Sequence, residues 1–402
     1  SLRDAAAPWT PERVRETAGV GPEALTALAE TYGRKRPSAT LIGIGLQKCA
    51  RGADQVRAVS FIPALLGIHR GFFYSNGDGF PVETSLISGK ALARRPARIV
   101  HQVALGETVR AGAFKLIYVS GMNPAATLPD QNAFREGIGR KDVFLAVHET
   151  HWSKTAAMAD LVLPAPTYLE KEDLVLPWTH DLVRISPRVV LPVTDSRSEI
   201  RVMQETARLL GLREDRIHED AWRAVLTALQ DALTDGDFES LLSGKTLRLK
   251  GRGKDAYPTP SGKIEFSSSR ARKNGFDPLP GQSSPPVEEE EDFLLLSSAV
   301  PHYTHTQFQE VYGPIPSAVA VHPSDAKRLR IEAGDRVVLS NDLGRVAVKA
   351  EISDRVPVGV LWCPRQSETP EGVAMNSLAG GDPQGIGGGP RFNSTRVRVS
   401  RG

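Results

Sequence analysis

Short apolar runs alternate with helical patterns along the first half of the chain. The apolar runs are ATLIGIG (39–45), KLIYVSGMNP (115–124), DVFLAVHE (142–149) and ADLVLPAP (159–166), and short apolar runs of this kind are typical of buried strands. SEIRVMQETARLLGL (198–212) has the spacing of an amphipathic helix. Alternating strands and helices predict a mostly parallel sheet with helices on both faces.

The pattern changes in the second half. HEDAWRAVLTALQDALTDGDFESLLSG has helical spacing, PTPSGKIEFSSS predicts an isolated hairpin segment, and the acidic run at 288–292 predicts a solvated linker. From Phe293 onward, short β runs are separated by Gly, Asp and Pro turns, with one helix at HPSDAKRLRI. Closely spaced strands with a single helix predict a small closed or half-closed barrel.

These changes divide the chain into four predicted regions. They are the end of one α/β domain at 1–85, a second α/β dinucleotide-binding-like domain at 86–212, a helical or irregular connecting region at 213–290, and a barrel domain at 291–402. The predicted fold class is therefore α/β, with mostly parallel sheets and flanking helices, followed by a six-stranded type of β-barrel.

Composition narrows the functional classes. The 402 residues are 40% hydrophobic and 24% charged, with a formal net charge of +3, which indicates no general attraction to nucleic acid or membrane surfaces. No apolar run approaches the roughly 20 residues that span a bilayer, and SLRDAAAPWTPERV has no signal-peptide core. The only cysteines, Cys49 and Cys363, lie far apart in the chain, which argues against an iron–sulfur or structural zinc site built from this chain alone.

The segment VHETHWSKTAAMADLVLPAPTYLEKED (147–173) admits three interpretations: a metal site, an acid/base cluster, or the rim of a ligand pocket. His148 and His151 are three positions apart after a strand, whereas a helical zinc pair needs histidines four apart. An acid/base role for the acidic residues at the end of the segment stays open: Glu170, Glu172 and Asp173.

Three predicted strands end in polar or glycine-rich sequence: GIGLQ (43–47), SGMNP (120–124) and His148-Glu149. In parallel sheets ligands bind beyond the carboxyl ends of the strands, where glycines and free N–H groups accommodate phosphates. A dinucleotide or phosphate site at this edge is therefore one interpretation, and simple turns are the other.

The barrel region has its own polar cluster, PHYTHTQF (301–308). In a strand, His302, Thr304 and Thr306 share one face, where their donors suit phosphates or the edge of a heterocycle; a hydrogen-bonded barrel rim is the alternative. Further along, polar and aromatic residues stand in or beside glycine-rich loops: Asn376, Arg391, Phe392 and Asn393.

Taken together, several segments resemble the molybdopterin oxidoreductases of the dimethyl-sulfoxide-reductase and formate-dehydrogenase superfamily. They are GMNPAATLPD, VHETHWSKTAAMADLVLPAPTYLEKED, VPHYTHTQF, HPSDAKRLRIEAGDRVVLSNDLGRV, GVLWCP and NSLAGGDPQGIGGGPRFNSTRV. The resemblance runs from about residue 10 to the end of the chain. The combination of segments is specific, although no single one is.

The resemblance implies a molybdenum or tungsten atom held between two molybdopterin guanine dinucleotides. It implies two-electron redox chemistry or oxygen-atom transfer on a small substrate. The residues that it assigns to cofactor binding are Ile44, Gly45, Leu46, Gln47, Gly121, Asn123, Pro124, Thr127, His148, Glu149, Asp160, Pro164, Glu172, Asp173, His302, Thr304, His305, Thr306, Asn376, Arg391 and Phe392, with Ser75 and Asn76 a looser match. Replacing Asn123 or His148 is expected to weaken dinucleotide binding without unfolding the domain.

The departures from the family pattern are also informative. Neither the cysteine-rich iron–sulfur segment nor a metal-ligating residue is visible in the sequence, so we expect no catalytic residue and no metal ligand in this chain. The expectation is a C-terminal portion that is incomplete and inactive alone, whose partners are the N-terminal half of the same protein and an electron-transfer subunit, without nucleic acid or a membrane span. A non-catalytic pterin-binding module or subunit is the alternative function, and the substrate and the compartment stay open.

Overall fold

The computed structural model describes residues 1–68, 72–74, 80–177, 180–251, 257, 259–281 and 292–402. The helices are α1 (Leu2–Ala6), α2 (Pro11–Ala18), α3 (Pro22–Arg34), α4 (Gly52–Leu65), α5 (Thr84–Ile87), α6 (Leu105–Arg110), α7 (Pro124–Thr127), α8 (Gln131–Ile138), α9 (Glu199–Leu209), α10 (Asp215–His218), α11 (Ala221–Leu229), α12 (Phe238–Leu242), α13 (Ser269–Lys273), α14 (Gln309–Tyr312) and α15 (Pro323–Leu329). The strands are β1 (Thr40–Ile42), β2 (Phe72–Tyr74), β3 (Leu116–Ser120), β4 (Phe144–Glu149), β5 (Leu161–Pro164), β6 (Asp173–Val175), β7 (Leu182–Ser186), β8 (Leu247–Arg248), β9 (Phe293–Ser298), β10 (Ala318–Val321), β11 (Arg336–Asn341), β12 (Gly344–Ile352), β13 (Val360–Pro364) and β14 (Thr395–Arg401).

The chain divides into two compact units. The first comprises Ser1–Gln47, Arg51–Asn76 and Gly251–Val287, and the second comprises Lys48–Ala50, Gly77–Lys250 and Glu288–Gly402. The predicted boundaries at 85, 212 and 290 divide the chain more finely than this and stay a prediction.

The first unit contains one parallel strand pair, β1 with β2, with α4 between them in sequence. Its helix α2 has a capped start: the Thr10 side chain accepts a hydrogen bond from the Arg13 N–H, and proline follows at the first helical position. The same helix ends at Gly19, whose φ of 69° is readily adopted only by glycine.

The second unit contains the predicted parallel sheet, with strand order β3-β4-β5. Apolar residues of its strands, Val119, Leu145 and Val147, are buried against Val109 of α6 and Phe134 of α8. The three strands run in the same direction, so their carboxyl ends meet at one edge of the sheet.

The C-terminal part of the same unit is a closed barrel with strand order β10-β12-β11-β14-β9-β13. Phe293, Leu339, Val348 and Leu361 belong to its buried core. The sequence-based prediction of an α/β fold followed by a six-stranded barrel is therefore confirmed.

The region between the parallel sheet and the barrel combines short helices with short strands. Helices α11 and α12 pack on an antiparallel sheet of order β6-β7-β8, where Leu229, Leu241 and Val183 are fully buried. The predicted hairpin at PTPSGKIEFSSS is wrong, because the described residues 259–268 form turns and bends. There the Thr259 hydroxyl donates to the Lys263 carbonyl, and the Glu265 carboxylate accepts from the Ser261 N–H, so side chains bond the backbone in place of a strand partner.

The predicted acidic linker at 288–292 lies outside the described residues except for Asp292. Within the described ranges, no helix combines the length and the apolar character needed to cross a membrane.

Candidate functional site

The turn after β3 is built around Asn123. Gly121, with a φ of 58°, reverses the chain after the strand, and its N–H bonds the His148 carbonyl at the end of β4. The Asn123 side-chain oxygen accepts from both the N–H and the hydroxyl of Thr155, at 3.1 and 2.8 Å. Its amide donates to the Thr306 hydroxyl at 3.1 Å. One side chain therefore joins the edge of the parallel sheet to the loop that precedes α14.

That loop, PHYTHTQF, is not the strand on which the shared-face prediction depended. His302, His305 and Phe308 have positive φ angles of 75°, 54° and 70°, which an extended strand excludes. The Gln366 side-chain amide donates to His305 Nδ1 at 3.2 Å, and Gln366 itself has a φ of 63°. Non-glycine residues with positive φ persist only where their surroundings hold them, and they cluster at functional sites.

A cavity of about 430 Å³ lies between these two elements. The strand-end turns form one side, and the barrel loops form the other. It brings together these residues that the sequence predicts for cofactor binding: Gly121, Asn123, Thr127, Glu149, His305, Thr306, Asn376 and Phe392. Its volume falls within the range of small-molecule and cofactor sites.

Four basic side chains line the cavity: Lys48, His151, His305 and Arg365. Partial burial, and next the charge of Arg365, lower the pKa of Lys48 to about 8. Partial burial, and then the charges of Arg365 and Lys48, lower the pKa of His305. Partial burial also lowers the pKa of Arg365. The cavity is therefore positively charged on the barrel side.

The buried carboxylate on the lining, Glu149, is engaged by its own neighbours. Its Oε1 accepts from the N–H of Thr150 at 2.9 Å and from the Thr150 hydroxyl at 3.3 Å. The same hydroxyl lies 3.2 Å from Nδ1 of His151, which also lines the cavity. In the described part of the chain, no cluster of three or more His, Cys, Asp or Glu side chains is arranged to hold a metal ion.

Some predicted residues lie behind the cavity. His148 is fully buried under the sheet edge, and its Nε2 donates to the Arg197 carbonyl at 2.8 Å. Pro124 is buried at the start of α7. Asp160 lies at the amino end of the sheet, where its carboxylate accepts from the Leu145 N–H at 2.7 Å. Pro164 ends β5, so its carbonyl is placed to accept from the Arg197 N–H.

Other predicted residues of the second unit lie elsewhere. Glu172 and Asp173 line a separate cavity of about 860 Å³ beside α9 and α11. His302 stacks on Tyr312 with ring centroids 4.8 Å apart. The Arg391 guanidinium donates to the Pro383 carbonyl within its own loop. Thr304 pairs with Gln307 in an isolated bridge. For these residues and those behind the cavity, a cofactor role stays a prediction.

The predicted turn of the first unit follows β1. Ile44 and Leu46 are exposed there, and Leu46 and Gln47 begin a short 3₁₀ helix that ends at Lys48. Gly45 is also exposed. The looser matches, Ser75 and Asn76, lie outside the described residues.

The cavity also contains residues that the sequence reasoning missed: Lys48, Gln102, Met122, His151, Gln307, Arg365 and Gln366. Most of them adjoin segments that the sequence does single out. Lys48 directly follows the glycine turn at 43–47, and Arg365 directly follows the predicted strand GVLWCP. Position directly after a strand is therefore a signal for site residues in the barrel as well as in the parallel sheet.

Comparison with known protein families gives two matches. Residues 23–208 match a family described as molybdopterin oxidoreductase, and residues 293–396 match the molydopterin dinucleotide binding domain. The first match contains the strand-end turns of the sheet, and the second contains most of the barrel side of the cavity.

Curated relatives are longer than this chain. A probable oxidoreductase, YoaE, of Bacillus subtilis is 27% identical over all of this chain and 62% of its own length. A trimethylamine-N-oxide reductase of Haemophilus influenzae is 25% identical over 88% of this chain and 52% of its own length. The alpha subunit of an F420-dependent formate dehydrogenase of Methanocaldococcus jannaschii is 23% identical over 90% of this chain and 58% of its own length. The chain therefore spans between about half and three fifths of these relatives.

Among solved structures, acetylene hydratase from Pelobacter acetylenicus has the same fold. It superposes with a TM-score of 0.79 over 100% of this chain and 66% of its own, at 17% sequence identity. At that identity the likeness concerns the fold alone.

Proposed function

Because the chain belongs to the molybdopterin oxidoreductase family, we propose that its cavity holds part of a molybdopterin guanine dinucleotide. We propose further that the chain is the cofactor-cradling part of a molybdenum or tungsten oxidoreductase. The expected reaction is two-electron redox chemistry or oxygen-atom transfer on a small substrate.

The observation that carries this proposal is the convergence of the predicted residues. Side chains from the carboxyl ends of β3 and β4 and from two barrel connections, β9 to β10 and β13 to β14, line the same cavity. Two buried polar atoms at the cavity, Arg365 Nε and Gln366 Oε1, have no hydrogen-bond partner among the described residues. Buried polar groups are normally paired, so such atoms suit a polar ligand.

The residues present fit the proposed cofactor chemically. The backbone at Gly121 is unobstructed, since a Cβ there would meet nothing within 4 Å, which permits the close approach of a phosphate or sugar. Phe392 offers a ring to a heterocycle, and the Thr306 hydroxyl can bond it. When bound, the cofactor supplies the redox chemistry, while this chain supplies binding and orientation.

The remainder of the cradle belongs to the same proposal. Since the curated relatives have sequence that this chain does not span, we propose that a second dinucleotide, the metal ligand and an iron–sulfur cluster depend on polypeptide outside these 402 residues. The partners would then be that polypeptide and an electron-transfer subunit. The relatives include an N-oxide reductase and a formate dehydrogenase, so both substrate classes belong in a first screen.

Elemental analysis combined with pterin fluorescence tests the proposal, on protein expressed from the full reading frame in a host that makes the cofactor. We expect about one molybdenum or tungsten atom per chain with about two pterin guanine dinucleotides, as bis-pterin coordination requires. Pterin without metal would favour the non-catalytic binding module. Protein that contains neither metal nor pterin would contradict the proposal, and only the fold assignment would remain.

A matched pair of variants ties the result to the cavity. Gln102 is an exposed residue on its lining, so Gln102→Trp is expected to obstruct the cavity and lower the pterin content severalfold. Gln230, exposed at the end of α11, takes the same substitution on a surface remote from the lining. Equal pterin loss in both variants would mean that the substitution acts through folding.

A further inference from the structure

We propose that Lys48, His305 and Arg365 form an oxyanion-binding site inside the cavity. Its ligand is a phosphate or carboxylate group. This inference deepens the proposed function and rests on it for the biological identity of the anion. The site is one that the family resemblance did not assign, since two of its three residues were absent from the predicted set.

The three residues come from separate parts of the chain and meet at the same cavity. Lys48 ends the 3₁₀ helix Leu46–Lys48, and its Nζ lies 5.9 Å from the centre of the Phe392 ring. His305 lies in the loop before α14. Arg365 directly follows β13, and its N–H bonds the Ser298 carbonyl at 2.8 Å. Convergence from such distant positions is what a built site requires.

Neither of the two cations, Lys48 and Arg365, has a carboxylate among the influences on its pKa in the part of the chain that the structure describes. Arg365 Nε is buried and has no partner there. The carboxylate on the lining, Glu149, is held by the N–H and hydroxyl of Thr150. Partly buried cations without a counter-ion are costly, and a bound anion with charge-assisted hydrogen bonds removes that cost.

The directions of the pKa shifts agree with this geometry. Each of the two titrating groups, Lys48 and His305, is affected by the charge of Arg365, and His305 is also affected by Lys48. The three groups therefore lie near enough to repel one another. A solvated, unrelated set of surface cations would not influence one another in this way.

His305 completes the site as a neutral donor. The Gln366 amide donates to its Nδ1 at 3.2 Å, so in the neutral ring the proton is on Nε2. Burial and neighbouring cations lower the pKa of His305, which favours that neutral form. Two cations and one N–H donor match the requirements of a phosphate or carboxylate oxygen.

Two anions distinguish the two sources of such a group. Inorganic pyrophosphate represents the diphosphate of a dinucleotide, and formate represents an anionic substrate. Each is titrated by calorimetry into the 402-residue protein at fixed ionic strength. Tighter binding of pyrophosphate assigns the site to the cofactor, tighter binding of formate assigns it to substrate, and no binding of either overturns the inference.

Single substitutions test whether the anion binds at these residues. Lys48→Met and Arg365→Met are each expected to weaken the binding of the preferred anion by about tenfold or more, as loss of a charge-assisted contact implies. Lys327→Met is the matched control, since Lys327 is an exposed residue of α15 away from the cavity. Unchanged affinity in both cavity variants, or equal losses in all three, would contradict the proposal.

Lys48→Arg tests whether the loss of the proton from Lys48 causes a pH dependence of anion binding. It keeps a cation that does not titrate in the accessible range. Wild-type affinity for pyrophosphate should fall as the pH rises through about 8, the pKa of Lys48, although pyrophosphate itself gains charge. The arginine variant should show no such fall. The other titratable or charged lining groups, Glu149, His151, His305 and Arg365, are identical in both proteins.

The outcomes also separate this inference from the proposed function. Anion binding that depends on Lys48 and Arg365, in a full-length protein without pterin or metal, would support the anion site and sink the cofactor proposal. If the protein has the expected pterin and metal content but neither cavity variant changes anion binding, the cofactor proposal is supported and the anion site is contradicted.

Discussion

Lys48 lies partly buried beside Arg365, and both effects lower the pKa of its amine from the ordinary 10.5 to about 8. Below about pH 8 the folded and unfolded chains are both protonated here, so the destabilisation is fully present. Between about 8 and 10.5 the folded chain loses the proton first, and stability rises with pH. Above that range the contribution no longer changes.

Replacing this amine should therefore stabilise the protein. We expect Lys48→Met to raise the free energy of unfolding at pH 7 by about 1 kcal/mol, a value discounted for solvent screening. The difference from wild type should shrink as the pH approaches 10. Urea denaturation at both pH values measures it, with Lys327→Met as the control. A destabilised Lys48→Met at pH 7 would show that packing of the lysine stem outweighs its charge.

Replacing Asn123 should destabilise the protein, in contrast to replacing Lys48. Its side chain accepts from the Thr155 N–H and hydroxyl and donates to Thr306. The family resemblance implies a ligand contact whose loss leaves the fold intact. Because Asn123→Ala leaves the Thr155 N–H without its partner, we expect it to lower the free energy of unfolding by about 2 kcal/mol.

Asn123→Asp is the matched variant, since a carboxylate still accepts from Thr155. Thermal unfolding should place it between alanine and wild type. If Asn123→Ala melts like wild type and loses only ligand affinity, the residue is a ligand contact, as the sequence-based hypothesis states.

Some residues of the site were predictable and others were not. Gly121 and Thr127 lie in the connection after β3 and Glu149 ends β4, and the carboxyl edge of a parallel sheet is a general ligand position. Lys48 and Arg365 are a lysine and an arginine among many in the sequence. Only folding shows that these two share a cavity without a carboxylate partner among the described residues.

At the scale of elements, apolar runs were the reliable signal. KLIYVSGMNP contains β3 and DVFLAVHE contains β4. The central strand, β4, is buried at five of its six positions, and a strand buried on both faces needs apolar residues at nearly every position. The failures, 301–308 as a strand and 259–268 as a hairpin, are polar segments. In both, side chains bond nearby backbone or other side chains, and period-two patterning does not detect that competition.

Helices α6 and α8 pack with a close approach at Gly137 that the pattern of apolar and polar residues does not reveal. A Cβ at Gly137 of α8 would lie 2.6 Å from the Arg110 backbone N and 2.7 Å from Val109 Cγ1. We expect Gly137→Ala to lower the free energy of unfolding by about 1–3 kcal/mol through overpacking.

Gly33 of α3 provides the matched control, since a Cβ there meets nothing within 4 Å. Gly33→Ala should be neutral or slightly stabilising, because alanine restricts the unfolded chain more than glycine does. Chemical denaturation of the two variants measures the difference. Equal effects would mean that the helices separate at little cost.

Within the second unit, the sheet, the barrel and the helical region have separate hydrophobic cores. Polar contacts join the sheet to the barrel. Lys154 donates to the Glu368 carboxylate and to the Gly372 carbonyl, both at 2.8 Å. The Asn376 amide donates to the Thr127 carbonyl at 3.1 Å. Because these contacts flank the cavity, they set the spacing of its two sides.

The Lys154–Glu368 pair is partly buried, with 27% and 30% of the side chains exposed. We therefore expect a coupling of about 1 kcal/mol in a double-mutant cycle of Lys154→Met and Glu368→Gln. Native-state hydrogen exchange should show Val147 of β4 and Leu339 of β11 opening together in wild type and at different free energies in the double variant. If their exchange stays coupled and anion affinity is unchanged, the remaining polar contacts suffice to hold sheet and barrel together. If it separates and anion affinity falls with it, the cavity is a property of the joined pair, because its cations come mainly from the barrel and its glycine turn from the sheet.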